Sequence, residues 1–119
     1  MATDYSFFFT DTAVTDLEET LNYISAELSS PAAANKFILK LETAISAIRK
    51  FPLSGSPVEN PYVKRNDIRK TLVGNYVLYY IPDQEKHQIV ILRIVYGQRD
   101  REQIEKKYVI FVFFLRIKK

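Results

Sequence analysis

Arg69-Lys70, Arg93 and Arg99 stand among Tyr76, Tyr79, Tyr80 and Tyr96 in the second half of a 119-residue chain. Guanidinium groups hold phosphate oxygens bidentately, and tyrosine rings stack on bases while their hydroxyls exchange protons. With lysine added, such a set is able to cleave RNA without metal. A base takes the 2′-hydroxyl proton, arginine stabilises the pentacoordinate phosphate, and an acid protonates the leaving oxygen. The same residues also suit a plain solvated sheet face, so the pattern admits nucleic-acid chemistry without requiring it.

Other chemistries are poorly supplied. The chain has no cysteine, which excludes a disulfide, a thiolate metal site and a cysteine nucleophile. Its single histidine, His87, borders the polar turn Pro82-Asp83-Gln84-Glu85-Lys86, a setting for solvation rather than catalysis. The net charge of +3 conceals a division. Up to Val63 there are four Lys+Arg against eight Asp+Glu, a balance of −4; from Lys64 onward there are thirteen against six, a balance of +7. That asymmetry predicts one face suited to a polyanion or an acidic partner.

One domain is expected at this length, and 47% hydrophobic with 26% charged residues is an ordinary globular mixture. Tyr5 to Phe9 reads as a short strand, too short for a signal-peptide core and preceded by Asp4. Val14, Leu17, Leu21, Ile24 and Leu28 then make one helical stripe, with Asp11 or Thr12 as cap and Asp16, Glu18 and Glu19 near the positive dipole end. Ser30-Pro31 starts a second helix with the stripe Ala34, Phe37, Ile38, Leu41, Ile45 and Ile48, which Phe51-Pro52 ends. The short connection predicts an antiparallel helix hairpin. Leu53 to Asn66 reads as loop.

Sheet follows. Ile68 to Val73, a Gly74-Asn75 hairpin turn and Tyr76 to Ile81 form two strands, and Ile89 to Tyr96 forms a central one. The expected order is β-α-α-β-β-β, an α+β fold with the hairpin on one face of a mostly antiparallel sheet and the other face left to solvent or a partner. Strict alternation places Val90, Leu92, Ile94 and Tyr96 on one face, and Ile91, Arg93, Val95 and Arg99 on the other. Arg69 and Lys70 straddle the two faces, as do Tyr76, Tyr79 and Tyr80.

The series Ala13, Asp16-Leu17, Tyr23-Ile24, Ala34, Leu41, Ile45 and Phe51-Pro52, then Ile68-Arg69-Lys70, Gly74-Asn75-Tyr76, Tyr79-Tyr80 and Leu92 to Asp100, resembles the RelE/ParE superfamily of toxins over residues 5 to 100. The resemblance implies the toxin half of a type II toxin-antitoxin module, cytoplasmic, with no cofactor, no metal and no membrane. Two activities occur in that superfamily: ribosome-dependent mRNA cleavage by RelE-type members, which is the activity expected here, and inhibition of DNA gyrase without nuclease activity by ParE-type members, which is the alternative. On the first, Arg69, Lys70, Tyr96 and Arg99 carry catalysis, while Lys64, Arg65, Arg93 and Arg101 hold the nucleic acid or target. Arg99 falls where the RelE pattern has a catalytic arginine and Lys70 near a strand lysine. Val77 replaces the arginine usual after the strand tyrosine, and Tyr96 stands where many relatives have histidine. The long hairpin and the Arg69-Lys70 pair look more like the ParE branch.

Implied partners are a cognate acidic antitoxin and either the ribosome with mRNA or DNA gyrase, in a homodimer or a toxin-antitoxin hetero-oligomer. Residues 1–103 form the expected toxin domain. Residues 104–119 form a hydrophobic extension whose uncharged run Tyr108 to Leu115 has the composition of an added strand.

Overall fold

The computed structural model describes residues 4–58 and 67–97. Lys64, Arg65, Arg99, Arg101 and the 104–119 extension lie outside them. Strand β1 (Ser6–Phe9) leads into helix α1 (Asp11–Leu28), and helix α2 (Pro31–Lys50) follows. A two-residue strand β2 (Ser56–Pro57), then β3 (Arg69–Val73), β4 (Tyr76–Asp83) and β5 (Gln88–Tyr96) complete a sheet of order β1-β5-β4-β3-β2. The α+β order is the expected one, with β2 added inside the segment read as loop. β1 runs parallel to β5, and the other pairings are antiparallel.

Helix α2 matches its predicted stripe: Phe37, Leu41, Ile45 and Ile48 are buried, and Pro31 occupies the first turn after Ser30. The Ser30 hydroxyl makes no capping bond. Helix α1 differs. Its buried residues are Ala13, Asp16 and Thr20, with Leu17, Leu21 and Ile24 half-buried beside them, while Val14 and Leu28 are exposed. The small Ala13 side chain, fully buried, lets this helix lie close to the sheet, which turns Val14 outward.

Thr10, not Asp11 or Thr12, caps α1. Its Oγ1 accepts from Ala13 N at 3.1 Å and donates to the Leu92 carbonyl at 3.1 Å, while its backbone N–H still bonds the Ile91 carbonyl. One residue thus ends the strand and starts the helix. Thr10→Ala should lower stability by about 1–2 kcal/mol, read by urea unfolding, because both the cap and an inter-element bond are lost.

The Gly74-Asn75 turn is as predicted. Gly74 has φ +60 and Asn75 does not share its positive φ, the pattern of a type II′ hairpin turn. Strand β4 extends past Ile81 to Asp83, so Pro82 lies in the strand opposite Ile89 rather than in the turn. It is tolerated there because β3 pairing stops at Tyr80 and, among the described residues, β4 is an edge strand beyond that point. His87 follows, exposed, at φ 53, with its ring stacked on Tyr5 at 4.6 Å.

Alternation fails along β5. Ile91 stands opposite Tyr80 and Arg93 opposite Tyr79, so Leu92 is an unmatched extra residue, a β-bulge. In place of the expected sets, Ile89, Ile91 and Ile94 pack with the helices, and Val90, Leu92 and Val95 pack on the other side. That second face is not open as expected: Val58, Ile68, Val77 and Tyr79 are buried with them, and Phe8 and Ile81 pack against the cluster. A single sheet therefore carries two apolar cores. Tyr79 and Tyr80 are inside them, 1% and 0% exposed, and are closed to base stacking.

Candidate functional site

Arg93 and Tyr96 meet at one place, the cleft between α1 and the C-terminal end of β5. Strand β1 stops opposite Ile91, and among the described residues the next stretch of β5 has no strand neighbour on that side. Helix α1 fills the gap. The Asp16 carboxylate accepts from Ile94 N at 3.0 Å and from Arg93 Nε and Nη2, each at 2.9 Å. One buried carboxylate thus satisfies an edge N–H and forms a fork-to-fork ion pair with the bulged strand. Glu19, Thr20, Tyr23, Tyr76 and Tyr96 complete the lining of a cleft of ≈ 410 Å³. Tyr76 and Tyr96 pack edge to face at 5.4 Å, and Tyr76 meets Phe37 likewise at 5.1 Å.

The remaining described candidates lie elsewhere. Arg69 stands opposite Tyr80, whereas Tyr96 stands opposite Tyr76, a separation of about 13 Å along β4. Arg69 Nη1 donates to the Leu53 and Gly55 carbonyls at 3.0 and 2.6 Å, which ties the segment after α2 to the sheet. Lys70 lies opposite Tyr79, which in turn lies opposite Arg93, so the two basic residues share a row about 10 Å apart. Lys70 also borders a hollow with Ser54, Gly55 and Ser56. The structure therefore joins Arg93 to Tyr96, aligns Lys70 with Arg93, and sets Arg69 apart.

Tyr80 anchors the same segment as Arg69. Its hydroxyl donates to the Pro52 carbonyl at 3.0 Å and accepts from Gly55 N at 2.9 Å. Burial pushes its pKa above the usual 10.0, and the Gly55 bond, Arg69 and Ser54 oppose that rise.

Sequence reasoning missed Asp16, Glu19 and Tyr23 as site residues. Asp16 was open to discovery, since it lies three residues after Ala13 and four before Thr20 on the buried face, while Arg93 is the single charge in an otherwise apolar strand. Two opposite charges inside apolar runs call for one another. Among the described residues, no group of three or more His, Cys, Asp or Glu is arranged to hold a metal, and no helix is long and apolar enough to cross a membrane.

This helix hairpin on a mixed sheet, with edge strand β1 parallel to β5, resembles chains from solved toxin-antitoxin complexes. The chain is similar to one from the RelBE2 toxin-antitoxin complex of Mycobacterium tuberculosis, with 25% identity, TM-score 0.57, and coverage of 79% of this chain and 99% of that one. It is similar in fold to a chain of the chromosomal ParDE system of P. aeruginosa (17% identity, TM-score 0.60, 79% and 97% covered). A chain of the archaeal RelE-RelB complex from Pyrococcus horikoshii shares the fold as well (16% identity, TM-score 0.50, 82% and 99% covered). No curated protein matches significantly. These likenesses define the fold class, that of chains found in RelBE and ParDE toxin-antitoxin complexes.

More narrowly, residues 7–101 match the model of the ParE toxin of type II toxin-antitoxin systems, parDE, and the chain belongs to that family. It is the toxin component of a type II module.

Proposed function

We propose that this toxin acts in the cytoplasm by binding a protein, DNA gyrase, rather than by cutting mRNA on the ribosome. The observation that supports this reading is the employment of the described arginines. Arg93 is held bidentately by Asp16, and Arg69 donates to two backbone carbonyls. RNA cleavage requires guanidinium groups aimed at a phosphate, with a base and an acid in reach. Among the described residues Arg69, Lys70 and Tyr96 do not converge on such a point. A ParE-type interface needs no convergence, only complementary surface.

An acidic antitoxin is the proposed partner. A groove of ≈ 450 Å³ runs between α2 and the edge of β3, lined by Leu39, Lys40, Ala44, Ala47 and Leu72 among others. Leu39 and Leu72 are exposed, and β2 pairs with Arg69 and Lys70, so that among the described residues no strand pairs with Thr71 to Val73 on that side. Apolar side chains, a lysine and unpaired backbone together suit an extended acidic segment that orders as it binds.

Purified toxin should inhibit gyrase supercoiling of plasmid DNA and leave mRNA intact in a translation extract. Position-specific mRNA cuts with supercoiling unaffected would establish the interferase activity instead, carried by a site that includes Arg99. Added antitoxin should restore supercoiling.

A further inference from the structure

We propose that the cleft between α1 and β5 is a receptor for an arginine side chain presented by a protein partner. Its walls are aromatic. Tyr23 stands 59% exposed on α1, facing a lining that includes Tyr76 and Tyr96 from the sheet. In the edge-to-face pair of Tyr76 and Tyr96 only one ring's face is covered by the other. Tyrosine faces carry negative quadrupole density and attract cations, and the planar guanidinium stacks on them better than an ammonium does.

The charge balance of the cleft selects a cation. Its basic residue, Arg93, is already neutralised by the buried Asp16 carboxylate in a two-bond pair. Glu19 on the same helix face adds a second carboxylate, and no hydrogen bond or ion pair engages it among the described residues. Among the described residues the lining therefore holds two carboxylates against one guanidinium, a balance of −1. Among the described residues of this lining the one positive group is the paired Arg93, whereas an entering guanidinium meets Glu19 and three tyrosines. At ≈ 410 Å³ the space falls in the size range of side-chain and small-ligand pockets, about 300–1,000 Å³. The lining is also well anchored, since Asp16 bonds Ile94 N and Tyr76 packs on Phe37.

The inference deepens the protein-target reading, on which it rests only for the source of the arginine. The test is made on the full chain with N-acetyl-arginine amide as probe, followed by NMR of the tyrosine rings. Saturable shifts at Tyr23 and Tyr96 are expected, with a dissociation constant of order 1 mM. Glu19→Gln and Tyr23→Ala, both at exposed positions, should each weaken binding by about threefold. Absence of saturable shifts, equal shifts with N-acetyl-norleucine amide, or binding unchanged in both variants would overturn the proposal. Equal affinity for N-acetyl-lysine amide would overturn the guanidinium assignment. Arginine binding by a protein that does not inhibit gyrase removes the gyrase reading and leaves the receptor standing; gyrase inhibition without arginine binding does the reverse.

Discussion

Asp16→Ala should lower the unfolding free energy by about 3 kcal/mol, and the melting temperature by ~10 °C for a domain of this size. Three bonds converge on that carboxylate, two from Arg93 and one from the backbone N–H of Ile94. The substitution deletes all three and leaves the Arg93 guanidinium beside apolar Ile94 and Val95 without the buried carboxylate that holds it bidentately. An exposed ion pair contributes at most about 1 kcal/mol, but Asp16 is only 8% exposed, which limits the water available to replace it. Arg93, partly exposed, recovers some solvation, so the effect stays below that of a fully enclosed pair. Arg93→Met should cost less than Asp16→Ala, because the carboxylate keeps the Ile94 bond. The double variant should be more stable than the sum of the single effects implies, by at least about 1 kcal/mol, measured by urea unfolding of the four proteins. Additive losses would mean that the pair carries no coupling.

The sequence made that pair visible in pieces only. Helix α2 was readable because Phe37, Leu41, Ile45 and Ile48 follow one period and Pro31 marks its start. The Gly74 hairpin was readable because few residues accept its φ. Helix α1 was readable in part: Leu17, Leu21 and Ile24 pack against the core as its stripe predicts, but its buried residues are the small Ala13 and the polar Asp16 and Thr20, while the conspicuous Val14 and Leu28 are exposed. The faces of β5 were misassigned for a different reason. A bulge at Leu92 is a fact of pairing with β4, and a one-residue slip exchanges faces for everything beyond it. Arg93 consequently reaches the edge beside α1, where its ion-pair partner is an acid 77 positions earlier. Long-range polar pairing of this kind leaves no periodic trace, so the candidate site was legible as a set of residue types but not as a place.

Gly55→Ala is expected to destabilise by about 2–4 kcal/mol, through crowding rather than backbone conformation. A Cβ at this buried position would collide with the Tyr80 hydroxyl and lie 2.8 Å from the Lys70 carbonyl oxygen and 2.9 Å from Tyr80 Cε1. The hydroxyl cannot yield without breaking its bonds to Gly55 N and the Pro52 carbonyl, and Arg69 holds the same turn through the Leu53 and Gly55 carbonyls. Tyr80→Phe alone should cost about 1–3 kcal/mol, since it leaves two backbone groups without their partner. Combined, the substitutions should cost less than their sum by about 1 kcal/mol, because removal of the hydroxyl relieves one collision while those with the ring carbon and Lys70 persist. The node also gives an alkaline signature. Tyr80 ionises in the fold only above the usual 10.0, whereas the unfolded chain ionises near it. Its contribution is therefore complete below pH 10 and is lost as pH rises through the folded-state value. Tyr80→Phe should lose that component of the alkaline slope, measured by urea unfolding at successive pH values. A slope identical to that of the parent would show that the hydroxyl titrates alike in both states, and that burial does not hold it neutral.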